Sequence, residues 1–234
     1  MSTWWVSQTY QISPVLLGSW VIWVITSIVL HELGHGLAAI RVGDRTPIET
    51  GHMTINPIVH MGYMSLLMFA LFGFTWGAMP VNPSRFRGRY ADSLVAAAGP
   101  MVNLILAAVC ILADALWLSY GRNAVGSFGL AMPSHVATNI HTFLWTGAMI
   151  NVMGFLFNLV PIPPLDGSKI VANFVPAYDR LMNSERGGLI GLVCFALLFS
   201  VGGSKIWDAT ATIANVSIRA LTNVFGGTLQ SPMG

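Results

Sequence analysis

Three ionisable side chains, His31, Glu32 and His35, sit within the stretch SIVLHELGHGLAAI, residues 27–40, which otherwise reads as lipid-soluble. On a helix, positions i and i+4 lie on one face, so His31 and His35 can both reach one metal ion. Glu32 is one step round, near enough to hold a water at that ion. H-E-x-x-H on a helix is a zinc-hydrolase pattern with the glutamate as general base. The ion lowers the pKa of water to about 7 and polarises a substrate carbonyl; Glu32 takes the proton of the attacking water and passes it to the leaving amine. The alternative is a chance match with two buried, satisfied histidines. In an apolar helix, three unused ionisable groups would each cost about 2–3 kcal/mol or more, which argues that they are used.

A catalytic zinc usually takes three protein ligands and keeps one open position. Among the remaining acids Asp166 stands out, in NLVPIPPLDGSKI, residues 158–170, just after an apolar run. Pro161, Pro163 and Pro164 prevent a regular helix there, and freed backbone at that depth is tolerated only against protein or water. The residues alone leave two readings open: a third ligand, or an N-cap for the helix that follows.

The elements that must position these residues are membrane helices. Of 234 residues, 54% are hydrophobic and 9% charged, with a mean hydropathy of +0.67, against about 25% charged in soluble domains. Apolar segments cover 14–40, 62–79, 92–118, 137–160, 187–203 and, more weakly, 206–225. Several approach the roughly 20 residues that cross a bilayer core. The expected fold is an all-α polytopic membrane protein: about five transmembrane helices in a single domain, 1–234, with a core at 14–170 and C-terminal helices at 187–225. Residues 45–57, rich in Thr, Ile and turn formers, are expected to form a short membrane-associated β-hairpin. A net charge of +2 gives no reason to expect nucleic acid. Cys110 and Cys194, both in apolar runs, read as core residues. Trp4, Trp5 and Tyr10 suit an aromatic belt, and no basic n-region marks a cleavable signal peptide.

HELGH in a first membrane helix, followed by N-x-x-P-x-P-P-L-D-G, resembles the site-2 protease family of intramembrane zinc metalloproteases. MTINPIVH (53–60), GAMPVNPSRFR (77–87) and AAAGPMVN (96–103) support the likeness, in the family's order over roughly residues 27–170. The resemblance implies one zinc ion on His31, His35 and Asp166, with Glu32 as base. It also implies that Asn158 stands beside the metal, where its amide can donate to the developing oxyanion. Asn103 reads as a packing or helix-bonding residue. His60 matches an N-P-x-x-H piece without a role that can be read from it. The implied activity is hydrolysis of peptide bonds within or near transmembrane segments, with membrane-protein substrates, the lipid bilayer and adaptor proteins as partners.

Topology supplies a check. His31, His35 and Asp166 meet at one depth only if segment 62–79 fails to cross the bilayer; Gly73, Gly77 and Pro80 give it places to bend. In that arrangement Arg41, Arg45, Arg85, Arg87, Arg89, Lys169, Arg180 and Arg186 share one side, with Arg122 and Lys205 opposite. Basic loops are cytoplasmic, so the site is expected near the cytoplasmic face of the plasma membrane and the N-terminus outside. Two other functions compete. A metal transport or sensing protein would carry a polar trail across the membrane, and only Asp114 and Asp208 lie at depth. A catalytically silent scaffold of the same fold would usually have lost motif residues, and all four are present.

Overall fold

The computed structural model describes residues 4–121 and 133–226. Arg122 therefore lies outside the described residues. A short helix α1 (Trp5–Ile12) turns at Ser13, whose hydroxyl caps the next helix by accepting from Leu16 N. That helix, α2 (Pro14–Arg41), runs 28 residues with Pro14 at its start, where a missing N–H costs nothing. It carries the H-E-x-x-H motif near its C-terminal end.

The chain then leaves and returns at that same end. Arg87 N donates to Val42 O at 2.7 Å, and Asn82 N donates to Asp44 Oδ2 at 2.7 Å. Between these two ties lie α3 (Thr46–Glu49), α4 (Pro57–Phe72) and an extended run, residues 73–82. Helix α4 has 16 residues, with a non-helical break at Gly62 (φ 68, ψ 166), and so falls short of the roughly 20 that span a bilayer. Helix α5 (Ala91–Leu116) continues through one π-turn to Gly121; α6 (Ser134–Asn158) follows, then the proline-rich turn and α7 (Asp166–Phe174). Helix α8 (Pro176–Met182) leads to a last long helix, Gly187–Val224, made of α9 (Gly187–Leu197), a π-turn and α10 (Gly203–Val224).

Helices α2, α5 and α6 pack on one another, and α10 closes the far side. Small residues allow the close approach. Gly34 faces Val102 and the Ala98 backbone, and Gly147 faces Trp23 and Cys110, the substitute for a hydrophobic drive inside lipid. The core joins Ala107, Cys110 and Ile111 to Ala148, Met149, Val152, Ala214 and Ile218. Asp114, fully buried in α5, pairs with His141 Nδ1 at 2.8 Å.

Two expectations need correction. Four described helices, rather than about five, are long and apolar enough to span a membrane, because 187–203 and 206–225 run on as one 38-residue helix. Residues 45–57 do not form a hairpin: they contain the helical turn α3, and there is no strand among the described residues. The reason is local. The buried Asp44 carboxylate accepts from Thr46 N and Thr46 Oγ1, and Pro47 follows with no N–H to give to a ladder. Burial pushes the Asp44 carboxyl up, but the Asn82 amide and the Thr46 hydroxyl and amide outweigh it and hold it below the usual carboxylate range.

Candidate metal centre

Two of the three donors come from α2 and the third from the start of α7. His31 Nε2 and His35 Nε2 lie 3.0 Å apart, and Asp166 Oδ2 is 3.1 Å from the first and 3.3 Å from the second. Asp166 is the first residue of α7, whose cap is Leu165 with no side-chain capping bond. Its carboxylate therefore meets the imidazoles rather than serving as an N-cap, and one of the two readings left open is removed. The helix starts here because the prolines of 159–165 break the chain out of α6.

The protonation of the imidazoles follows from their partners. Gly147 O can only accept, so Asn151 turns Nδ2 to it (2.9 Å) and Oδ1 to Asn103. Asn103 then gives Nδ2 to Asn151 Oδ1 (3.0 Å) and Oδ1 to His31 Nδ1 (2.6 Å). His35 Nδ1 donates to Val95 O at 2.7 Å. That carbonyl lies in the turn beside Pro100, whose ring crowds the helix and which has no amide to offer Ala96. Both Nδ1 atoms carry their protons outward, leaving both Nε2 lone pairs aimed at the point where the Asp166 oxygen also converges. Three acceptors at this spacing repel one another unless a metal ion or shared protons join them. In a tetrahedral zinc site with bonds of about 2.0–2.1 Å, neighbouring donors stand about 3.3–3.4 Å apart, close to the 3.0–3.3 Å found here. The donor set fits zinc.

The space in front of the donors is kept open by glycine. A Cβ on Gly99 of α5 would run into both Nε2 atoms. A Cβ on Gly77 would come within 2.6 Å of Glu32 Oε1, so the Glu32 carboxylate lies against the backbone of the extended run. Glu32, Asn158 and the three donors line one cavity of about 750 Å³. Asn158 Nδ2 donates to Gly154 O at 3.0 Å, one turn back in its own helix.

The extended run has two unlike edges. Trp76 N donates to Ser65 Oγ, Ala78 N to His60 O, and Asn82 N to Asp44. The amides of Thr75, Gly77 and Met79 have no partner among the described residues, and these three residues line the cavity. Paired and unpaired amides thus alternate from Thr75 to Met79, and Trp76 and Ala78 line the cavity as well. His60, buried, stands behind the run: its Nε2 faces Thr54 O at 2.6 Å, and its carbonyl holds Ala78. His60 does not join the metal cluster.

Asn103 bonds across to a neighbouring helix at Asn151, as expected, and also meets His31, a contact that sequence reasoning missed along with Asn151 and the roles of Gly99 and Gly77 beside the donors. The available signal was the cost of an amide inside an apolar run. Replacing Asn103 with Leu is expected to weaken zinc binding about 10- to 100-fold, as loss of a partner to a ligating histidine does. Competition with a zinc chelator of known affinity measures it.

Comparison with known proteins points the same way. Residues 19–201 match the model described as Peptidase family M50. The chain is 34% identical over 191 residues to "Putative zinc metalloprotease YwhC" of Bacillus subtilis (strain 168), covering 80% of this chain and 83% of that one. It is 30% identical over 155 residues to "Putative zinc metalloprotease Rip2" of Mycolicibacterium smegmatis, and 31% over 156 residues to the Rip2 of Mycobacterium tuberculosis. Those matches cover 61% and 62% of this chain and about half, 52%, of each Rip2. No solved structure matches.

Proposed function

Because this chain belongs to peptidase family M50, we propose that it is an intramembrane zinc metalloendopeptidase that cuts other membrane proteins within or near their transmembrane segments. The observation that carries the reading is the convergence of three lone pairs, from His31, His35 and Asp166, in the cavity that also holds the Glu32 carboxylate. These three residues would hold the ion. Zinc, when bound, supplies a Lewis acid toward water and the scissile carbonyl.

The chain's own groups do the rest. A spanning substrate hides its peptide bonds in i→i−4 hydrogen bonds, so it must unwind before it can be cut, and each backbone group then stranded in lipid costs several kcal/mol. The edge of Thr75, Gly77 and Met79 takes the unwound peptide as an added strand. Glu32 lies against that edge. It accepts the proton of the attacking water and gives it to the leaving amine nitrogen as the C–N bond breaks. Asn158, one N–H on Gly154, turns the other to the developing oxyanion. The basic residues at the metal end support a site near the cytoplasmic face of the plasma membrane, with the N-terminus outside. Adaptor proteins that govern substrate access fit the same scheme.

The test is cleavage of a panel of single-span peptides by the zinc-loaded chain in detergent. Cleavage is expected to stop when a chelator removes the metal and to return with added zinc. A chain that holds one zinc and cuts none of the panel would overturn the reading.

A further inference from the structure

Serines and threonines inside a helix commonly donate to the carbonyl one turn back. This chain keeps the habit: Thr138, Thr142, Thr146 and Thr222 each donate to residue i−4 at 2.6–3.1 Å. Ser27 does not. It is 4% exposed, and its Oγ has no protein partner among the described residues. It sits one turn before His31 on the same face of α2 and lines the metal-site cavity. Thr210 also lacks a partner but lies outside that cavity. The same cavity is also lined by the apolar Val24, Ile28, Ile150, Met153 and Phe157, and an unmade hydrogen bond in a buried setting is costly.

We propose that Ser27 is a substrate-binding residue whose Oγ–H donates to a backbone carbonyl exposed when the substrate unwinds. Ser27 lies about 6 Å along α2 from His31, four residues at about 1.5 Å each. It rests on the proteolysis reading above. An unwound peptide bears carbonyls on both edges. The Thr75–Met79 edge serves one of them, and Ser27 serves the other at the apolar end of the cavity. A hydroxyl that bonded its own helix would be spent before the substrate arrived; this one is held in reserve.

The experiment uses the full zinc-loaded chain in detergent and a fluorescent single-span peptide. Binding is read by anisotropy in a Glu32→Gln background and cleavage in the Glu32 chain. Ser27→Ala is expected to raise both Kd and KM about 3- to 10-fold, the loss of one neutral hydrogen bond, with zinc content and kcat unchanged. Ser27→Thr, which keeps the donor, is expected to bind within about twofold of Ser27. Equal Kd for Ser27 and Ser27→Ala would overturn the proposal, as would a Ser27→Ala chain that loses zinc. If the peptide binds with this Ser27 dependence but is never cut, the binding role stands and the proteolysis reading falls.

Discussion

Substituting Glu32 with Gln is expected to lower peptide hydrolysis about 10²- to 10⁴-fold while the chain keeps its zinc. The size is that of a positioned general base. Retention of metal follows from the geometry: the cluster that can hold an ion is His31, His35 and Asp166, and Glu32 is not part of it. Glutamine has the shape of glutamate, so the packing against Gly77 survives, but an amide cannot take the proton of the attacking water. Zinc stoichiometry by elemental analysis and cleavage of a single-span peptide, measured on one preparation, separate the two effects. A Glu32→Gln chain that cut at the normal rate would remove Glu32 from its role. One that lost zinc would make it a structural part of the centre.

Substituting Gly99 with Ala should empty the centre. The new methyl group would meet both His31 Nε2 and His35 Nε2, the atoms whose lone pairs face the ion. The backbone cannot easily retreat, because Pro100 follows and α5 is packed against α2 and α6. The imidazoles cannot turn without giving up Asn103 and Val95. Zinc affinity is expected to fall more than about 100-fold, beyond the range seen when only an outer partner is lost. Alanine is otherwise a better helix former than glycine by about 1 kcal/mol. Overpacking against the two rings costs about 1–3 kcal/mol and offsets that gain, so a folded, metal-poor chain with a somewhat lowered melting temperature without zinc is the expected signature. Gly99→Ala with full zinc occupancy would show that the donors approach the ion differently.

Much of the scaffold was legible along the chain. The apolar runs at 14–40, 92–118 and 137–160 correspond closely to α2, α5 and α6, because a bilayer selects on length and hydropathy, both local properties. The last two apolar runs were separated at Ser204 and Lys205, yet the helix continues through them, and Gly202 and Gly203 just before keep right-handed helical geometry. Residues 45–57 misled for a different reason. Thr and Ile content suggested strands, while one buried carboxylate, Asp44, wound the segment into a turn by accepting from Thr46 and tying down Asn82. β-propensity is a weak guide when such a contact competes. The extended edge lies instead at 73–82, in a stretch read as the end of an apolar helix, where Gly73 takes the left-handed conformation (φ 73) that ends α4.

What the sequence determined by itself is the pair on one helix face, His31 and His35, with Glu32 beside them, since a spacing of four needs only the 3.6-residue period. The apolar runs that become α2, α5 and α6 and the candidacy of Asp166 were also readable there. Only the tertiary structure decided that Asp166 reaches His35 and also His31, 135 positions away, and that Asn103, 72 positions from His31, sets that ring's tautomer. It also decided that the missing side chain of Gly99 leaves room for the ion. The physical reason is that each of these depends on the distance between atoms on different helices. Helix packing sets that distance, and no local pattern of residue types encodes it.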